Sequence, residues 1–141
     1  MTASAVVAGI ATMLDAAGVG DYNPTGVTDP TQTPIAVASM PASGGAAIVL
    51  TTYPGGPEPD SRNGWEYPRL QVRVRDANPL SALDLDRAVF DVLQAAGGVT
   101  LAGGWWLQDC YAVQSEAQPM GVDANGRHEF TRNYQLTCWP T

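Results

Sequence analysis

The chain is 141 residues long, 45% apolar and only 15% charged, with a formal charge of -7, a size that buries about two thirds of the unfolded surface around one core. That charge repels the phosphate backbone and anionic membrane surfaces, which excludes sequence-independent nucleic-acid binding. No apolar stretch approaches the roughly eighteen residues of a membrane span, and no basic n-region opens the chain, so a soluble protein made in a cytoplasm is expected.

The first element runs from about Ser4 to Ala17, where Val6, Ile10, Met13, Leu14 and Ala17 recur at helical spacing. Ser4 reads as its N-cap, and Gly18 and Gly20 end it. Residues 21–34, DYNPTGVTDPTQTP, hold three prolines among Asp, Asn and Thr, side chains that compete for backbone hydrogen bonds and favour a loop. PIAVASM (34–40) and AIVLTTY (47–53) read as strands, and the PASGG between them is short enough for a hairpin. Residues 54–64, PGGPEPDSRNG, are too rich in Gly, Pro and charge to pack and are expected to be a mobile loop.

PRLQVRVR follows at 68–75. The chain has seven cations and no lysine, and three of its arginines, Arg69, Arg73 and Arg75, fall in this run. Period-two alternation puts Leu70, Val72 and Val74 on one strand face and Arg69, Gln71, Arg73 and Arg75 on the other. After DANPL, Ser81 and Asp84 resemble a capping box, and Leu85, Ala88, Val89, Val92, Leu93 and Ala96 keep helical spacing up to Gly97 and Gly98. The opposite helix face carries Asp84, Arg87 and Asp91, a charged stripe.

The last third is β-rich. VTLAGGWWL contains a Gly103-Gly104 turn, Leu107 to Gln114 makes a strand, and RHEFTRNYQLTCW makes another, with Asn125-Gly126 supplying a reversing turn before it. The order α-β-β-β-α-β-β predicts an α+β domain: a mainly antiparallel β-sheet packed against two helices, one domain over 1–141, with flexible loops at about 21–34 and 54–64.

No constellation of reactive residues emerges. Cys110 and Cys138 read as buried free thiols, with a bridge open to them if the last two strands pair. The lone His128 lies beside Glu129 on a strand with no nucleophile motif and reads as structural. Asp84, Asp86 and Asp91 share a helix but lack the spacing of a calcium loop. The Gly-rich segments lack the order that cradles a phosphate. Of Trp105 and Trp106, adjacent on a strand, one belongs to the core and the other marks a contact surface if exposed. No cofactor and no metal is expected.

Two segments carry a resemblance: YPRLQVRVRD (67–76), followed by an Ala-rich helix, and MGVDANGRHEFTRNYQL (120–136). They resemble the phage tail terminator family, also known as phage minor capsid proteins, in which a P-x-x-Q-x-x-x-R strand precedes the second helix and an LG-x-D-x-x-GR-x-E-x-x-x-NY run forms the last hairpin. The matching positions are Pro68, Gln71 and Arg75, then Gly121, Asp123, Gly126, Arg127, Glu129, Asn133 and Tyr134, with Met120 standing in for the family's Leu, a volume-conserving swap.

The resemblance implies a non-enzymatic virion protein, assembled in the host cytoplasm. It forms a ring of six copies on the head-proximal end of the tail tube, stops tube growth, and meets the head connector or a head completion protein. Another neck or tube ring is the nearest alternative, followed by a carbohydrate-binding module using Trp105 or Trp106 or a small hydrolase using His128. A ring joins two different patches on each subunit, and unlike charges set its register. The expected subunit interface is therefore the arginine face, Arg69, Gln71, Arg73 and Arg75, with the helix stripe Asp84, Arg87 and Asp91, or else the arginines pair with Asp76 or Glu129 of their own chain. The two loops are expected at the axial faces. Gly126 serves the turn, and Arg127 pairs locally with Asp123 or Glu129. Genomic DNA passes through the lumen without specific binding, and no membrane is involved.

Overall fold

The computed structural model describes every residue except 1, 28 and 95. Helix α1 (Thr2–Ala16) buries Val6, Val7, Ile10, Ala11 and Leu14 along one face. It starts earlier than expected, so Ser4 lies inside its first turn rather than at its cap. Helix α2 spans Pro79–Leu93, and its start is also earlier than the Ser81 reading. Asn78 is the N-cap, its Oδ1 accepting from the N–H groups of Leu80 and Ser81 at 2.8 and 3.3 Å, and Pro79 follows it at the first helical turn, where a missing N–H costs nothing. Its buried phase is Ala82, Asp86, Val89 and Leu93.

The strands are β1 (Ile35–Val37), β2 (Ala47–Tyr53), β3 (Arg69–Asp76), β4 (Val99–Thr100), β5 (Trp105–Ala112), β6 (Gln118–Val122) and β7 (His128–Pro140). The α+β order holds, with short β4 and β6 added as the first arms of the hairpins that turn at Gly103-Gly104 and Asn125-Gly126. They form one mixed, mostly antiparallel seven-stranded sheet in the order β1-β2-β3-β7-β5-β4, and β6 also pairs with β7. Strand β7, 13 residues long, is the centre: β3 runs along one edge, and β6 then β5 share the other. Both helices pack on one face, α2 over β3 and β7, α1 over β1 and β2.

The first two strands do not form the expected hairpin. Strand β1 pairs with β2 in parallel, Ile35 opposite Ile48 and Val37 opposite Leu50. A parallel return usually needs a dozen or more residues; here residues 38–46 suffice. Ala38 opens the reversal at φ 68°, and among the described residues it is the only non-glycine at positive φ. The loop that completes the reversal is gripped by two distant arginines, Arg75 and Arg127, and no local pattern announces that grip.

Cys110 and Cys138 are free and buried in the core between sheet and helices. Burial pushes both thiols up to about 12, with Asp109 and Glu66 respectively adding to the shift. The folded chain therefore keeps protons that the unfolded chain releases, so stability is expected to fall as pH rises from about 9 towards 12. At pH 8 a disulfide reagent such as DTNB should label the native chain only as fast as it unfolds; full labelling within seconds, without loss of circular dichroism, would contradict this burial.

Candidate functional site

Alternation along β3 puts Leu70, Val72 and Val74 in the core and turns Arg69, Gln71, Arg73 and Arg75 to the face away from the helices. Pairing with β7 arranges that face in rows: Arg69 opposite Gln135, Gln71 opposite Asn133, Arg73 opposite Thr131 and Arg75 opposite Glu129. The strand carrying three arginines thus meets the second motif segment rung by rung.

The four β3 side chains have different fates. Arg75 is 1% exposed. Its Nε donates to the Gly45 carbonyl at 2.9 Å, its Nη2 to Ser43 at 3.1 Å, and its Nη1 to Pro41. Arg127 takes the alternate carbonyls, Ala42 at 3.1 Å and Gly44 at 2.7 Å, while its Nε reaches Asp123 at 2.7 Å. Five consecutive carbonyls, 41 to 45, are therefore all committed to two guanidinium groups. Burial pulls the Arg75 pKa below the usual arginine range, the neighbouring Arg127 adds to that, and Asp123 and Glu129 oppose it. Asp123 is held below the usual carboxylate range, first by the Arg127 N–H, and its Oδ1 also accepts from Asn125 within a turn closed by Gly126 at φ 75°. Arg75, grouped by alternation with the interface candidates, is an internal clamp that no neighbouring subunit can reach.

At the other end of the face, Gln135 is buried and donates to the Tyr67 and Pro68 carbonyls at 3.0 and 3.3 Å. Arg69 Nε donates to Gln135 Oε1 at 2.9 Å. The 54–67 segment crosses so closely that a Cβ on Gly56 would lie 2.7 Å from the Tyr67 oxygen. Trp65 stacks on Trp139 with centroids 4.9 Å apart, and Trp106 tilts against Trp139 at 6.5 Å. Trp105 packs against the core, so the adjacent tryptophans divide between faces as expected.

Loops thus cover both ends of the outer face and leave a middle band. In it Arg73 is 35% exposed along its side chain and makes one ionic contact, Nη1 to Glu129 Oε1 at 3.3 Å. Gln71 is half-buried beside it, Tyr111 and Val113 are exposed, and Asn133 Oδ1 is buried without a hydrogen-bond partner among the described residues.

The helix stripe lies on the opposite side of the sheet. Asp84, Arg87 and Asp91 are exposed on α2, Arg87 Nε pairs with Asp91 Oδ1 at 2.9 Å, and Leu80 and Leu83 add exposed apolar surface near the start of the helix. Asp86, on the same helix, faces inward. Its carboxylate accepts from Arg132 Nη2 at 2.8 Å and Nε at 3.3 Å, a buried pair with the guanidinium lying 4.6 Å from the Phe90 ring. The three aspartates of α2 therefore do not converge, and no group of three or more potential metal ligands occurs among the described residues. His128 sits between Asp76 and Val122 in the ladder. No helix among the described residues is long and apolar enough to cross a membrane.

The sequence matches the family described as "Bacteriophage tail terminator protein" over residues 13–138. The chain belongs to the bacteriophage tail terminator family. The tail terminator is thereby a structural protein of the virion tail. Its fold is also that of a chain in the solved structure titled "Virion of native gene transfer agent (GTA) particle", with a TM-score of 0.67, 18% identity and 96% of each chain covered. No curated protein matches the sequence. In this tail terminator the two motif segments pair along β3 and β7, Gln71 beside Asn133 and Arg75 beside Glu129 on the outer face, with Tyr134 turned into the core and Asp123, Gly126 and Arg127 in the turn that grips the 41–45 loop.

Proposed function

We propose that this tail terminator closes into a ring, six copies as the family resemblance implies, on the head-proximal end of the tail tube. It ends tube polymerisation there, offers its other axial face to the head connector or a head completion protein, lets the genome pass through the lumen without a specific grip, and transforms no substrate. A closed ring needs two different patches on each subunit. The observation that supports this reading is the open band around Gln71 and Arg73, separated by the thickness of the fold from the charged α2 face. Arg73 can fork onto a neighbour's carboxylate such as Asp84 or Asp91.

Addition of the purified protein to isolated tube ends tests the role: one layer should bind and growth should stop, whereas continued extension would identify a tube subunit. Arg73→Glu tests the interface. Its pair with Glu129 is a third exposed and worth about 0–1 kcal/mol, so the variant monomer should keep its melting temperature within a few degrees while rings disappear from native mass spectra. Rings of normal stability in that variant would remove the sheet face from the interface.

A further inference from the structure

Strand β1 is lightly held for a member of the sheet. It pairs with β2 over three residues and in parallel, the weaker kind of ladder per residue, whereas β2 is paired along its whole length with β3 on the other side. The sheet therefore does not need β1 to stay closed. From residue 35 to residue 46 only Ile35 is buried, and residues 42–45 are exposed. Strand β1 also lines a groove whose other walls include the 22–34 segment and Val7 and Ala8 of α1.

The forces that keep this segment in place are mostly polar. Among the described residues, the hydrogen bonds joining residues 38–46 to anything outside 35–46 are six. The Ala38 N–H donates to the Leu50 carbonyl at 3.0 Å, and Arg75 and Arg127 supply the other five to carbonyls 41–45. Beneath the loop lies the Arg75 guanidinium. Water satisfies carbonyls and guanidinium alike when such a loop lifts, so release gives up little apolar burial beyond Ile35.

Strain sits at the same place. Ala38 has φ 68°, a left-handed conformation that an L side chain adopts at a cost. Such a conformation persists only while its surroundings impose it, and it is relaxed once they let go.

We infer that β1 and its loop, residues 35–46, form a strap that detaches from the β2 edge as a unit while the rest of the sheet stays folded, with Arg75 and Arg127 as its latch. Arg127 belongs to the β6–β7 turn, where its Nε donates to Asp123 at 2.7 Å. A contact that displaces that turn therefore also loosens the strap. Release turns a closed sheet edge into an open one: Leu50 loses its partner, and Thr52, the next position on that edge, already lies beyond β1. An open edge is the backbone pattern that accepts a further strand. The device does not depend on ring formation.

Amide hydrogen exchange of the full chain tests this on adjacent residues. Leu50 turns its N–H and C=O toward β1, whereas Val49 and Thr51 turn theirs toward β3. Exchange at Ala38 and Leu50 should be at least about tenfold faster, corrected for intrinsic rates, than at Val49 and Thr51, because local opening takes less free energy than global unfolding. Arg127→Ala removes two bonds from a charged donor to the strap. It should speed Ala38 and Leu50 by a further factor of about ten, with Val49 and Thr51 unchanged. Equal protection of the four amides in the parent chain would overturn the strap without recourse to any variant. Equal acceleration of all four in Arg127→Ala, or loss of its fold, would show that the latch holds the whole sheet and would overturn it too, as would unchanged exchange at Ala38 and Leu50.

Discussion

Arg75→Ala should cost about 3–5 kcal/mol, the range for removing one member of a buried charged arrangement. The clamp donates three hydrogen bonds to carbonyls that have no other partner among the described residues, and bonds from a charged donor are worth about 1.5–3 kcal/mol each. Against a total of about 5–15 kcal/mol for a domain, this is a large share. Urea unfolding should show a lower midpoint with an unchanged slope. Arg75→Lys should recover little, because an ammonium group has no planar fork to span carbonyls on three alternate residues. A loss below about 1 kcal/mol in the alanine variant would mean that water satisfies the loop as well as the guanidinium does.

Asp86→Ala should be comparably severe, about 3–5 kcal/mol, since it leaves the Arg132 guanidinium buried against the Phe90 ring without its carboxylate partner. The informative variant is the double replacement Asp86→Leu with Arg132→Met. Exchanging both charges for apolar groups of similar volume removes the desolvation penalty along with the attraction, so the pair should lie within about 1–2 kcal/mol of the parent. Strict additivity of the two single losses would show that the residues act independently and that their bidentate geometry contributes no coupling.

The α+β architecture was legible wherever a single period governed a segment. Alternation in RLQVRVR separated the core residues Leu70, Val72 and Val74 from the polar face, and the 3.6-residue period found both helices. The start of α2 lies two residues before Ser81 because the cap is Asn78, which precedes a proline, and Ser81 and Asp84 imitate a capping box one turn later. The parallel β1 could not be read from PASGG, because loop length alone suits a hairpin and the residues that impose the reversal are Arg75 and Arg127, 30 and more positions away.

Recognition of the candidate site was uneven for the same reason. The exposed stripe Asp84, Arg87 and Asp91 follows from helix geometry, and Arg73 with Glu129 was a named pairing. Asp86, grouped in the sequence with Asp84 and Asp91, stands four residues after Ala82 and three before Val89, in phase with the buried face. A carboxylate at a core position is a sequence-level signal for a buried cation, here Arg132. The tryptophan stack and the buried Gln135 depend on how the 54–67 segment returns over the sheet, which no local pattern encodes.

The placement of β7 bears on how the protein is made. Its partners β3, β5 and β6 all precede it in the chain, yet each needs it as a neighbour. On the ribosome those segments emerge with open edges and wait for a strand not yet synthesised. Sheet formation is therefore a late, non-local event, slow for its size and vulnerable to wrong partners in the interval. A chaperone that shields the nascent β3 edge should raise the yield of native subunits more than any stabilising change in the finished fold.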